Sequence, residues 1–233
     1  MTKAVCAVVG VGPGNGAAIA RKFSEEGYRI ALLSRHEDYL HGLANDLGDA
    51  RAYAYDATDT DQSGKVFAKI KSDMGPVEVL VYNAGSGLFG NVDQVDLADF
   101  ERAWRVNALG LLAASKAVLP DMRARTKGNI VVVGATASVK HGANFTAFTS
   151  AKAAQRALAQ SMAKQVGPEG VHVSLIIIDG VVNIPRTRAM MPDADDDFFL
   201  NPRDIAVSVH ALTQQPRSAW TFELDVRPYR EKW

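Results

Sequence analysis

The sequence predicts one doubly wound α/β domain, a parallel sheet of about seven strands with helices on both faces. Three observations predict it. Strand-length apolar runs alternate with amphipathic helical patterns to the end of the chain, no low-complexity linker or internal repeat divides them, and the first alternation turns through a run of glycines. The 233 residues, 47% of them hydrophobic, suffice for the core of a single large domain over 1–233.

Residues 4–9 are the first apolar run of strand length. They end in Gly10-Val11-Gly12-Pro13-Gly14-Asn15-Gly16, and the helical spacing of Ala17, Ile19, Ala20 and Phe23 follows directly. A second apolar run at 28–33 stops at Ser34-Arg35, completing a βαβ unit of the length that binds a dinucleotide, as in a Rossmann domain. Glycines without a Cβ let the backbone turn tightly and approach a pyrophosphate, whose charge the unpaired N–H groups of the helix start attract. Gly10, Gly12, Pro13, Gly14, Asn15 and Gly16 are therefore the phosphate-binding candidates.

Residues 36–47 read as a helix, 51–55 as the third strand, and 59–74 as a helix with Val66, Phe67 and Ile70 on one face. The fourth strand is expected at 77–81. Two long helices follow at 99–125 and 148–166, separated by a strand at 129–133; then come a sixth strand at 171–178, a helix at 202–214 and a last strand at 219–226.

In such a sheet ligands bind at the carboxyl ends of the strands, and the end of the second strand discriminates between nicotinamide cofactors. An acidic residue there would suit a ribose 2′-hydroxyl; this chain has Ser34 and then Arg35, whose forked donors suit a 2′-phosphate. NADP(H) is thus expected to be preferred over NAD(H), although Pro13 stands where a second basic anchor could precede the second glycine. Asp56, followed by Ala57, ends the third strand and can accept from an adenine amino group; Asp59 or Thr60 is better placed to cap the next helix. Asn83-Ala84-Gly85 ends the fourth strand, where its backbone can meet the adenosine ribose.

Other classes are disfavoured. With 26 basic and 26 acidic residues the formal charge is zero, which offers nothing to nucleic acid or an acidic membrane surface and leaves a small-molecule substrate as the expected partner. No apolar run reaches membrane-spanning length, and nothing at Met1-Thr2-Lys3 resembles a signal peptide. Cys6 is the single cysteine, so no internal disulfide can form and a cytoplasmic location is expected. The five histidines show no ligand spacing, and no catalytic metal is expected.

Gly10-x-x-x-Gly14-x-Gly16, Asp56, Asn83-Ala84-Gly85, Asn107 in Val106-Asn107-Ala108, Lys152 in Ser150-Ala151-Lys152-Ala153 and Asp179-Gly180 occur in that order. Taken together they resemble the short-chain dehydrogenase/reductase family over essentially the whole chain. The resemblance implies a single Rossmann domain with a seven-stranded sheet that transfers hydride between a nicotinamide cofactor and an alcohol or carbonyl. It further implies that residues 1–135 form mainly the cofactor half and 136–233 mainly the active-site half. Lys152 would hold the nicotinamide ribose hydroxyls, Asn107 would support a nearby water chain, and Asp179, Gly180 and Val182 would border the cofactor. The two long helices would pack on a twofold axis, giving a homodimer or homotetramer.

The chain departs from the family where the chemistry lies. Family members carry a catalytic Tyr four positions before the Lys and a Ser at the end of the fifth strand; here those positions hold Phe148 and Ala135. A phenol can carry a proton and a serine hydroxyl can hold a carbonyl, whereas benzyl and methyl groups can do neither. Loss of a general acid costs a factor of about 10²–10⁴ in rate. Candidate replacements are Thr136, Ser138, His141 and a bound water, and the substrate pocket is expected to include Ala135, Phe148, His141 and Met190. Met191, Phe198 and Phe199 fit either that pocket or the core. Arg186 and Arg188 fit either the pyrophosphate or a solvated face, and Asp193, Asp195, Asp196 and Asp197 read as a solvated loop tip. Two functions follow from this pattern: an NADP(H)-dependent oxidoreductase with a non-standard site, acting on a small apolar carbonyl, imine or activated alkene, or a catalytically inactive NADP(H)-binding sensor or interaction protein.

Overall fold

The computed structural model describes residues 3–231; Met1 and Thr2, on which the reading of the N-terminus partly rests, lie outside the described residues, as do 232–233. In chain order the elements are β1 (Val5–Val9), α1 (Asn15–Glu25), β2 (Arg29–Ser34), α2 (Glu37–Leu47), β3 (Ala50–Ala54), α3 (Thr60–Met74) and β4 (Val77–Tyr82). There follow α4 (Leu97–Trp104), α5 (Gly110–Ala124), β5 (Gly128–Val133), α6 (Thr146–Val166), β6 (Val171–Ile178), β7 (Val181–Val182), α7 (Pro185–Met190), β8 (Phe199–Leu200), α8 (Pro202–Thr213) and β9 (Glu223–Val226). Seven strands form one sheet in the order β3-β2-β1-β4-β5-β6-β9, every pair parallel.

Buried parallel strands need apolar residues on both faces, and β1 and β6 are buried at every position. Alternate residues feed two cores. Val5, Ala7 and Val9 pack with Phe67, Ile70, Leu111 and Met162 on one face, while Cys6 and Val8 pack with Ile19, Phe23, Leu40 and Val209 on the other. Each large side chain removed from water contributes about 1.5–3 kcal/mol. Val9 is in register with Leu33 on one side and Tyr82 on the other. The chain therefore leaves β1, β2 and β4 along one edge, where the strand order reverses between β1 and β4 and a crevice opens.

The structure differs from the expected elements in three places. The helix expected at 99–125 starts at Leu97 and is interrupted by a π turn, Arg105–Leu109. A tertiary contact accompanies the break: the Tyr82 hydroxyl donates to the backbone oxygen of Val106, and a Cβ on Gly110 would stand 2.4 Å from both that hydroxyl and the Ala57 oxygen. Strand β9 is shorter than the expected 219–226, because Arg217–Ala219 forms a 3-10 turn and the Trp220 ring stacks on His172 at 4.8 Å. Residues 181–200, to which the sequence pattern assigns no element, contain α7 and a two-stranded parallel sheet of β7 and β8. Among the described residues no helix is long and apolar enough to cross a membrane.

Candidate active site

Two glycines fasten the turn after β1 to the turn after β4. Gly10 has a φ of 87°, and a Cβ there would stand 2.4 Å from the Ala84 nitrogen; one on Gly16 would stand 2.6 Å from the Gly10 oxygen. Asn83 Nδ2 donates to that same oxygen at 2.7 Å. Pro13 is exposed at the tip of the turn, and the Gly12 position faces open space. A Cβ on Gly14 would lie 2.9 Å from Ile184 Cγ2, so the segment after β7 sits against the turn. No side chain caps α1 and no acidic residue stands in its first turn, which leaves its positive end to an external anion. Asn15 Oδ1 is buried there without a partner.

A cleft of about 270 Å³ opens at this edge. Nine of the expected cofactor residues line it, namely Gly10, Gly12, Ser34, Arg35, Asp56, Ala57, Asn83, Ala84 and Gly85. Arg35 is exposed, while Ser34 is buried and its Oγ accepts from the His36 N–H at 3.2 Å. Asp56 Oδ1 accepts from both the N–H and the hydroxyl of Thr58, each at 2.8 Å. Burial pushes the Asp56 carboxyl up, but the Thr58 bonds and the charges of Arg35 and Arg102 outweigh it and hold the group below its ordinary value. Asp59, as expected, caps α3 by accepting from the Gln62 N–H. Arg102, brought to the cleft by α4, was not visible as a site residue: it is separated from Arg35 by two strands and two helices, and only the sheet order brings the two together.

Lys152 lies behind Gly85, 5% exposed, on the core face of α6. Its Nζ donates to the backbone oxygen of Val133 and to Gln155 Oε1, both at 2.9 Å. Burial lowers its pKa to about 7. Asn107, buried in the π turn, donates from Nδ2 to the Ala103 oxygen at 2.9 Å and leaves Oδ1 without a partner. Gln155 is a second residue that sequence reasoning missed; the available signal was a polar side chain in the apolar stripe of Ala151, Ala159 and Met162.

Phe148 stands one helical turn before Lys152 and is half-buried. Ala135 donates its N–H to Ser138 Oγ at 3.2 Å, so the Ser138 hydroxyl is held in the turn after β5. The Thr136 hydroxyl donates to Asp179 Oδ1 at 2.8 Å. Asp179, 4% exposed, also meets Lys140 at 3.2 Å and Arg227 at 3.3 Å. Burial pushes its carboxyl up, and the Thr136 and Lys140 hydrogen bonds and the two cations bring it below the ordinary value. Gly180, with a φ of 151°, packs so that a Cβ would meet Pro228 Cδ at 2.8 Å, and Val182 pairs with Leu200.

Other expected site residues lie apart from the cleft. His141 is exposed on the loop before α6, and Met190 is 61% exposed on α7. Arg188 is engaged by Asn183 Oδ1 at 2.8 Å and by Asp196, with its guanidinium over the Phe199 ring. Phe199 is buried, whereas Met191 and Phe198 are each 38% exposed.

A glycine turn at the strand-order reversal, with a buried lysine behind the facing Gly85, defines a Rossmann domain built for a dinucleotide. Residues 4–193 match the short chain dehydrogenase family, and the chain belongs to it. An uncharacterized oxidoreductase from Staphylococcus aureus (strain N315) is 27% identical over 230 residues, covering 98% of each chain. Among solved structures, a short-chain dehydrogenase from Rhodopseudomonas palustris is 31% identical with a TM-score of 0.84, covering 97% of this chain and 99% of that one. A metagenomic short-chain oxidoreductase in complex with NADP is 27% identical with a TM-score of 0.86, covering 99% of each.

Proposed function

We propose that this short-chain oxidoreductase prefers NADP(H) and acts, through an altered active site, on a small apolar carbonyl, imine or activated alkene. The observation that carries the reading is the convergence of the glycine turn, Arg35 and the Asn83-Ala84-Gly85 turn on one cleft, with Lys152 buried behind Gly85. The relative in complex with NADP supports it.

The residues present fit such a cofactor. The uncapped α1 terminus suits a pyrophosphate, and the unpartnered Asn15 Oδ1 and Asn107 Oδ1 are buried acceptors that need a donor from outside the chain. A bound reduced nicotinamide supplies hydride. Arg35, with Arg102 as a second cation in the cleft, would hold a 2′-phosphate; Asp56 would accept from adenine; and Lys152 would hold ribose hydroxyls. Asp179, Gly180 and Val182 would border the nicotinamide end.

Around the reacting atoms Phe148 and Ala135 supply an apolar wall and no hydroxyl. Thr136 commits its proton to Asp179, so its oxygen can still accept from a substrate but has no proton of its own to give. Substrates that need little help with a proton suit this arrangement. Positioning alone remains worth up to about 7–11 kcal/mol. The exposed apolar side chains Leu97, Trp104 and Leu112 along α4 and α5 support self-association as a dimer or tetramer, and the buried lone thiol of Cys6 suits a reducing cytoplasm.

The same two substitutions favour a second reading, a nucleotide-binding sensor without turnover. Single-turnover oxidation of NADPH against ketones, imines and enones separates the two: turnover with any of them supports the oxidoreductase, and binding without turnover on all of them supports the sensor.

A further inference from the structure

A second cavity, of about 500 Å³, opens between the start of α8 and the end of β9, and it shares no lining residue with the cofactor cleft. Much of its wall is apolar. Leu200 and Ile205 are buried side chains of that wall, and a Cβ on Gly180 would meet Leu200 Cδ1 at 3.2 Å, so one layer of side chains separates the cavity from the turn after β6. Interiors are close-packed, and an apolar wall left open to water is surface that an apolar body would cover favourably. The volume falls in the range of small-molecule sites, roughly 300–1,000 Å³.

The polar groups of the wall decide what else an occupant carries. Arg227 meets Asp179 at 3.3 Å and also pairs with Asp225, so the Asp225 charge is already met. Asn201 Oδ1 caps α8 by accepting from the Arg203 N–H at 2.9 Å, and the Ser208 hydroxyl donates to the Asp204 backbone oxygen at 3.2 Å. That leaves the Asp204 carboxylate, which pairs with no cation among the described residues.

Other occupants suit this wall poorly. An anion would face two carboxylates and a helix terminus that Asn201 and Asp204 already satisfy. A metal ion would lack ligands, because among the described residues no third carboxylate, histidine or cysteine joins Asp204 and Asp225. A neutral apolar molecule would strip water from Asp204 and return no partner to it. An ammonium group offers donors and the opposite charge.

We propose that this cavity is a binding site for an organic ammonium ion, a primary amine on an apolar body of about one ring. Its charge pairs with Asp204 and its body lies against Leu200 and Ile205. Binding is non-covalent and uses none of the cofactor residues, so the proposal stands apart from the oxidoreductase reading.

The test is a ligand-observed NMR titration with 2-phenylethylamine at pH 7, in the absence and presence of saturating NADPH. The amine should bind with a Kd of about 1 mM or below, equally well in both conditions and about 10-fold more tightly than 2-phenylethanol, which lacks the charge. Asp204→Asn should weaken the amine about 10-fold and leave the alcohol unchanged. Ser208→Trp, which fills the cavity from a half-buried position and keeps the carboxylate, should abolish binding of both. Asp204 is exposed, so the Asp204→Asn comparison decides the matter even where the bulkier variant does not fold. Equal affinities for amine and alcohol, an unchanged Asp204→Asn protein, or binding that survives in a folded Ser208→Trp protein would overturn the proposal. Displacement of the amine by NADPH would also overturn it, by placing the amine in the cofactor cleft.

Discussion

Lys152 Nζ is bound to the backbone oxygen of Val133, the last residue of β5, at 2.9 Å, and neither of its hydrogen-bond partners is ionised. A lysine tied to a carbonyl and an amide inside the core carries the desolvation cost of its charge without a counter-ion, which is why its pKa falls to about 7.

That shift has a defined sign in stability. Between the folded value of about 7 and an unfolded value of about 10.4 the unfolded chain binds more protons at this position, so stability rises with pH across that window. Lys152→Met should remove this contribution. Urea unfolding at pH 7, 8 and 9 should show wild type gaining on the variant at each step; parallel pH dependences would refute the burial of an uncompensated amine.

Asp179 behaves in the opposite sense. Its lowered pKa means the stabilisation is present above the unfolded carboxylate value and is lost as pH falls through the folded one. Asp179→Asn would leave Lys140 and Arg227 without the carboxylate between them and cost about 3 kcal/mol at neutral pH. The gap between wild type and variant should narrow below about pH 4. Equal melting temperatures at pH 7 would show that the buried carboxylate contributes nothing.

The sheet was legible because buried parallel strands are continuous apolar runs, so β1, β4, β5 and β6 announce themselves without an alternating pattern. The cleft was legible for a related reason: its lining from Gly10, Arg35, Asp56 and Asn83 sits at strand ends, which the fold class brings to one edge. The π turn was not legible, since apolar spacing continues on both sides and the break depends on Tyr82 and Gly110, which meet only in the folded chain. Gln155 could be noticed as a polar residue in a buried stripe, but its partner Asn107 comes from another helix. The α7 segment buries no side chain and so left no periodic signal.

Cofactor choice tests the reading of the β2 end. NADPH should bind more tightly than NADH, and Arg35→Asp should weaken NADPH by about 10–100-fold, the equivalent of a lost charge-assisted hydrogen bond. Fluorescence titration measures both. Equal affinities in the wild type, or an Arg35→Asp protein that holds NADPH unchanged, would remove the preference.

Self-association follows from side chains that one subunit leaves uncovered. Leu97 is 87% exposed and Trp104 41%, large apolar groups on the outer side of α4. Light scattering at micromolar concentration should report a dimer or tetramer, and Leu97→Lys with Trp104→Glu should shift it towards monomer. A wild-type monomer under those conditions would contradict the assignment of this face.

The central claim is that the site keeps its nucleotide-binding frame while Phe148 and Ala135 have removed the usual proton donor and carbonyl-binding hydroxyl. The most direct measurement is single-turnover NADPH oxidation with a small activated ketone, comparing wild type with Phe148→Tyr/Ala135→Ser. Both restored groups act on one transition state, so neither single substitution should reproduce the effect of the pair. The double variant should be faster by at least about 10²-fold, the low end of general acid catalysis. A wild type that already reduces ordinary ketones, at a rate the double variant does not exceed, would show that positions 148 and 135 are not where the chemistry was lost.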